Sequence, residues 1–117
     1  MICKNLEVWK RSVALSSEIY LYLADLKDYS FKDQLRRSSL SIPSNIAEGF
    51  ERISNKEKIR FIDISRGSIA EAQTQIYIGI KIKYIDKNIG NKWIKELEEL
   101  GKMLTGLIKN ISGKAND

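Results

Sequence analysis

Apolar residues recur every three or four positions through almost all of this 117-residue chain, and only three short stretches interrupt the rhythm. Such spacing lays an apolar stripe along one side of an α-helix, and a chain built of such segments buries its stripes by packing helix against helix. The first segment runs from about Asn5 to Leu26. Leu6, Trp9, Val13, Ser16, Tyr20 and Leu23 form one stripe, and Val8, Leu15, Ile19, Tyr22 and Leu26 form a second. A helix with two stripes needs two partners.

Lys27-Asp28-Tyr29 breaks the pattern, and Ser30 with Asp33 three residues later resembles a capping arrangement for the next helix. That helix extends to about Arg52 along a core line of Phe31, Leu35, Ser38, Ile42, Asn45 or Ile46, Gly49 and Ile53. Its interior holds the single proline, Pro43. Proline lacks an N–H, so the Ser39 carbonyl loses its usual donor and a kink is expected; serines 38, 39, 41 and 44 are close enough to supply hydroxyls. Ser54-Asn55-Lys56-Glu57 reads as a capping box opening a third helix. One stripe of that helix comprises Ile59, Ile62, Ile69, Ile76 and Ile80, and the other Phe61, Ser65, Ser68, Ala72, Ile78, Ile82 and Ile85.

Between Ile76 and Ile85 isoleucine alternates with Tyr, Gly or Lys, which in isolation reads as a strand. The helical reading is preferred, because both stripes continue through the run and no second strand exists to pair with it. Asp86 to Asn91, with Gly90, forms the last break. Trp93, Leu97, Leu100, Leu104, Leu107 or Ile108 and Ile111 then mark a fourth helix that ends near Ile111, and residues 112–117 are expected to form a disordered polar tail. The expected fold is all-α: one domain spanning 1–117, an antiparallel up-and-down four-helix bundle with a Pro-kinked second helix, about 30–45 Å long.

With 43% hydrophobic and 30% charged residues, the composition is that of a folded helical protein. A lone Cys3 excludes a disulfide framework and fits a reducing cytoplasm; it reads as an incidental thiol at a mobile terminus. Neither a signal core nor an uncharged run near the roughly 18 residues of a membrane span appears, so a soluble cytoplasmic protein with no membrane partner is expected. The net charge of +5 is spread out: zero up to Tyr29, +1 from Ser30 to Arg52, and +2 in each of the stretches 53–86 and 87–117. This is a mild bias toward anionic partners.

Chemistry is largely excluded. The chain has no histidine, which removes the commonest general base and most zinc or haem designs. A carboxylate di-iron site in a bundle needs several inward glutamates and Glu-x-x-His pairs. Only Glu48 and Glu71 read as inward. No nucleotide-binding glycine pattern or metal-binding cysteine spacing appears, so no catalytic residue, cofactor or metal is expected.

What remains is polar residues at helical spacing. Asn45, Glu48 and Arg52 share one face, as do Ser68, Glu71 and Gln75, and facing each other they would form a buried network that sets helix register. The functional reading makes the same set a patch for a ligand or partner. Lys32, Arg36 and Arg37, with Arg52, Lys56, Lys58 and Arg60 around the second break, form candidate ground for phosphates, a solvated charged face being the plainer reading. Lys81, Lys83, Lys87, Lys92 and Lys95 around the third break would widen it. Tyrosines and tryptophans lie on apolar stripes and read as core, although Trp9, Tyr20 and Tyr22 also suit a subunit contact.

Three segments carry a family resemblance: Leu6-Glu7-Val8-Trp9; Gln34-Leu35-Arg36-Arg37 leading into Ser41-Ile42-Pro43-Ser44-Asn45-Ile46-Ala47-Glu48-Gly49; and Gly67-Ser68-Ile69-Ala70-Glu71, with Met103-Leu104 and Leu107 in support. They resemble the small four-helix-bundle family named from open reading frames inside intervening sequences of bacterial 23S ribosomal RNA genes, formerly labelled a ribosomal protein. The resemblance implies an up-and-down bundle assembled as a ring-shaped homopentamer. It also implies kinship to the accessory variability determinant proteins of diversity-generating retroelements, which bind nucleic acid and a reverse transcriptase. Independently, two stripes on the first and third helices exceed what a lone four-helix core can bury, which points to an oligomer. The expectation is a non-catalytic homo-oligomer acting as an adaptor or weakly specific binder of RNA or DNA. The alternative is a protein–protein interaction scaffold without nucleic-acid binding.

Overall fold

Three of the four α-helices begin where a side chain takes unpaired N–H groups. In the computed structural model, which describes residues 1–114, a single 3₁₀ turn at Ile2–Asn5 precedes α1 (Glu7–Tyr22), α2 (Tyr29–Phe50), α3 (Asn55–Lys81) and α4 (Lys87–Ser112). Asp28 caps α2 by accepting from the Phe31 N–H, Ser54 caps α3 by accepting from Glu57, and Asp86 caps α4 by accepting from Asn88 and Ile89. Each such cap contributes about 1 kcal/mol. Ser54 supplies the cap half of the expected box, and the Glu57 carboxylate accepts from Arg60. The α2 cap is Asp28 rather than Ser30, so that helix starts two residues early.

Helix α1 stops at Tyr22, four residues before the expected Leu26. The stripe misleads here because Leu23 is fully buried and Leu26 half-buried in the turn that follows. The end of α1 is closed by cations from α2. Arg36 donates from Nη2 to the Tyr20 carbonyl at 2.5 Å, and Lys32 donates from Nζ to Ala24 at 3.3 Å. Positive groups on the last carbonyls of a helix satisfy orphan acceptors and oppose the negative end of its dipole.

The third break lies earlier than expected, at Ile82–Asp86. Lys83 adopts φ 65°, its N–H reaches the Ile80 carbonyl at 3.1 Å, and the Tyr84 N–H reaches Gly79 at 2.9 Å. This is a Schellman ending with lysine where glycine is usual. Lys83→Gly is expected to raise stability by up to about 1 kcal/mol, since only glycine adopts this conformation without steric penalty; chemical denaturation measures it. Gly90 belongs to α4 and not to the break. A Cβ there would sit 2.5 Å from Ile80 Cδ1, so the glycine lets α4 pass close to α3. No strand occurs among the described residues, and Ile76–Ile80 are helical.

The core is one cluster fed by all four helices: Val8, Leu15 and Ile19; Leu35, Ile42 and Ile46; Ile62, Ile69 and Ile76; and Trp93, Leu97, Leu100 and Leu104. Helix α2 touches α1 and α3, and α4 touches α3 and α1, which closes a four-helix bundle of 48 × 21 × 21 Å. Pairs run in reverse order across three of the four seams. Ser38, Ser41 and Ile42 meet Gln75, Ser68 and Ser65 in turn, Ser16 and Tyr20 meet Ser39 and Arg36, and Arg11 and Glu18 meet Glu96 and Trp93. Helix α2 runs unbroken through buried Pro43.

Cys3 is not at a loose end. It is 1% exposed, and the N–H of neighbouring Ile2 donates to Glu51 at the end of α2 at 3.0 Å. Burial pushes its thiol pKa up, which disfavours the reactive thiolate. Of the expected disordered tail, Ser112 ends α4 and Gly113 and Lys114 form a turn, while residues 115–117 lie outside the described residues.

Tyr84 and Asp28 join the two turns at one end of the bundle. The Tyr84 hydroxyl donates to Asp28 Oδ2 at 2.8 Å. The Phe31 N–H, and then this hydroxyl, hold the Asp28 carboxyl below its ordinary value. A carboxyl whose folded pKa is lowered stabilises the fold above its unfolded pKa of about 3.9, and that contribution is lost as pH falls through the folded value. Asp28→Asn is therefore expected to flatten the acid limb of a stability–pH profile below about pH 4. A profile identical to that of the parent would contradict the linkage.

Candidate functional site

The α2–α3 seam shows what the polar residues in the middle of the chain do. Ser38 Oγ donates to Gln75 Oε1 at 2.6 Å, the Ser41 and Ser68 hydroxyls lie 2.8 Å apart, and Ser65 donates to the Ile42 carbonyl at 2.8 Å. Asn45 donates from Nδ2 to both the carbonyl and the hydroxyl of Ser41, each at 2.8 Å. Asn45 reaches Ser68 through Ser41, Gln75 bonds Ser38 separately, and serines 38, 41 and 65 make the contacts across the seam. Serine at three-and-four spacing opposite serine was the available signal. Hydrogen bonds across the seam favour a single register of packed helices.

Glu48 and Glu71 are not inward. Both are exposed, and Glu48 accepts from Arg52 Nη2 at 2.7 Å along its own helix. They sit on the solvent edge of the seam, one turn past the residues that meet across it. The hydroxyls beside Pro43 also have other partners than the expected Ser39 carbonyl. Ser39 donates to Arg36 and Ser44 to Leu40, and the Ser38 hydroxyl that bonds Gln75 also lies 3.1 Å from the Leu35 carbonyl.

The seven candidate phosphate ligands divide by what they touch. Lys32 and Arg36 close α1, as described, and Arg36 also lies 4.6 Å from the Tyr20 ring centroid. Lys58 does the same for α2, with Nζ donating to the Arg52 carbonyl at 2.6 Å. These three cations serve helix ends. Arg52 and Arg60 flank Phe61, their guanidinium carbons 4.6 and 4.5 Å from its ring centroid, and Arg60 also pairs with Glu57. Arg37 is exposed on the outer face of α2, and Lys56 is exposed at the start of α3.

A second charged site, unread in the sequence, joins α1 to α4. Arg11 donates to Glu96 from Nε at 2.9 Å and from Nη2 at 2.5 Å, and reaches Glu99 at 2.7 Å. The hydrogen bond from Arg11 holds the Glu99 carboxyl below its usual range. Next to it, buried Trp93 donates from its indole N–H to Glu18. Sequence spacing does not reveal such a pairing, because its partners lie 85 residues apart.

Apolar surface remains uncovered. Leu21 and Leu40 are 78% and 48% exposed on the α1–α2 side, where with Ser16, Ser17 and Tyr20 they line a shallow cleft. Ile64 and Ile78 are exposed along α3, and Ile82 at its C-cap. The second α3 stripe is thus divided: its Ser65, Ser68 and Ala72 are buried, and its Ile78 and Ile82 face outward. Tyr29 and Tyr77, expected in the core, are also exposed.

Among the described residues no group of acidic, cysteine or histidine side chains is placed to hold a metal ion. No described helix is long and apolar enough to cross a membrane. The class that the fold defines is a four-helix bundle. The family model for the 23S rRNA-intervening sequence protein matches residues 4–106, and the chain belongs to that family. A solved structure from Bacteroides thetaiotaomicron, described as a protein of unknown function from the S23 ribosomal protein family, superimposes with a TM-score of 0.82 at 24% identity. The match covers 87% of this chain and 98% of that one, and shows the shared fold. A search of curated proteins returns no match.

Proposed function

We propose that this protein is a non-catalytic homo-oligomer that serves as an adaptor and binds RNA or DNA with little sequence preference. The observation that carries the assembly is the pair of unlike apolar edges, Leu21 with Leu40 on one side and Ile64 with Ile78 and Ile82 on another. Two different patches on one subunit suit a heterologous contact, which closes into a ring when its rotation allows. Five copies, as the family resemblance implies, are the proposed ring. Its working compartment is the cytoplasm, in keeping with a single unpaired thiol.

Nucleic-acid binding rests on the net charge of +5 and on exposed cations such as Arg37. Binding through a few phosphate contacts carries no sequence information and falls steeply with salt, by about a hundredfold between 50 and 200 mM for four contacts. Fluorescence anisotropy with a structured RNA tests this. Salt-independent binding, or none at low salt, removes the nucleic-acid reading. The commitment of Lys32, Arg36 and Lys58 to backbone carbonyls favours the second reading, a scaffold that engages another polypeptide, such as a reverse transcriptase. A partner protein retained after nuclease treatment would support it.

A further inference from the structure

The turn between α3 and α4 differs from the rest of the surface. From Tyr77 to Lys92 it carries Lys81, Lys83, Lys87 and Lys92 against one carboxylate, Asp86, whose side chain accepts two backbone N–H groups. All four lysines are exposed, and none has an ion pair or side-chain hydrogen bond among the described residues. The basic residues around the second break, by contrast, are mostly held by carbonyls and glutamates.

Two further observations single out this turn. Lys83 occupies the left-handed position at the tip, where glycine is preferred, so a charge is kept there at some loss of stability. Tyr77, one helical turn before Lys81, is 56% exposed, and its ring has no aromatic or cation partner among the described residues. An open aromatic ring beside unpaired lysines is the combination that holds a single strand, with a base stacked on the ring and cations along the phosphates.

We infer that the α3–α4 turn docks single-stranded nucleic acid, with Tyr77 as the stacking platform and Lys81, Lys83 and Lys87 on successive phosphates. This rests on the nucleic-acid reading above. Duplex offers no free base face, so the single strand is the preferred ligand.

Anisotropy with labelled polyuridine and with a blunt RNA duplex of equal length tests the inference on the full chain. The combined variant Lys81→Gln, Lys83→Gly, Lys87→Gln is expected to lose at least about tenfold in affinity for polyuridine at low salt, with a log–log salt slope shallower by about 2. Its melting temperature should equal or exceed that of the parent, because Lys83→Gly relieves the turn, which separates lost binding from lost folding. Tyr77→Ala is expected to weaken polyuridine binding by about tenfold and to leave duplex binding unchanged. Parental affinity in the lysine variant would overturn this placement while leaving nucleic-acid binding elsewhere intact. Equal effects of Tyr77→Ala on strand and duplex would overturn the stacking role, and absence of binding by the parent at low salt would overturn both readings. Binding to anionic vesicles tighter than to polyuridine would show the turn to be a membrane-surface contact instead.

Discussion

Trp93→Ala is expected to destabilise the protein by about 3–5 kcal/mol, the range for deleting a large buried aromatic. Trp93 is 2% exposed and does three things at once. It fills the core between α1 and α4, its ring meets Tyr22 edge-on at a centroid distance of 5.1 Å, and its indole N–H bonds Glu18. Edge-to-face pairs add roughly 0.5–1.5 kcal/mol beyond burial. Single domains are stable by only about 5–15 kcal/mol, so the loss is a large fraction of the whole. At this chain length it corresponds to a fall in Tm of about 10–20 °C at fixed protein concentration. Trp93→Phe keeps most of the burial and loses the donor, and should cost about 1–2 kcal/mol. If both variants unfold alike in denaturant, volume is not the dominant effect and the Glu18 bond carries more than assigned.

Helix number, the Ser54 cap and the central core were legible because amphipathic spacing and capping chemistry are local. The helix ends were less so. Leu23 and Leu26 keep the apolar rhythm in a turn, and a stripe does not distinguish a buried helical leucine from a buried turn leucine. Gly90 looked like a stop, but glycine also serves close helix approach, and only the position of Ile80 separates the two.

The candidate site was legible in composition more than in role. Lys32, Arg36 and Lys58 have the residue type and spacing of phosphate ligands. Each lies next to a helix end in space, however, and that adjacency depends on how the chain folds back. Glu48 and Glu71 lie one turn beyond Asn45 and Ser68 and face solvent, a difference that approximate periodicity cannot resolve. The serines, weak signals singly, proved to be the connectors, because a hydroxyl is small enough for α2 and α3 to meet closely and still be hydrogen-bonded.

Leu21→Glu combined with Leu40→Glu is expected to reduce the assembly to a monomer of 13.4 kDa without unfolding it. Both positions are exposed in the single chain, where such substitutions change stability by about 0.5 kcal/mol or less. In a subunit contact the same residues would lose water, and an unpaired buried carboxylate costs about 3 kcal/mol or more. Two per contact weaken each interface by several orders of magnitude. Light scattering gives the mass, and far-ultraviolet circular dichroism checks that the helices persist. Parental mass in the variant would exclude the Leu21–Leu40 edge as a contact and leave the α3 isoleucines to account for assembly. A parental protein that is itself monomeric at micromolar concentration would remove the ring.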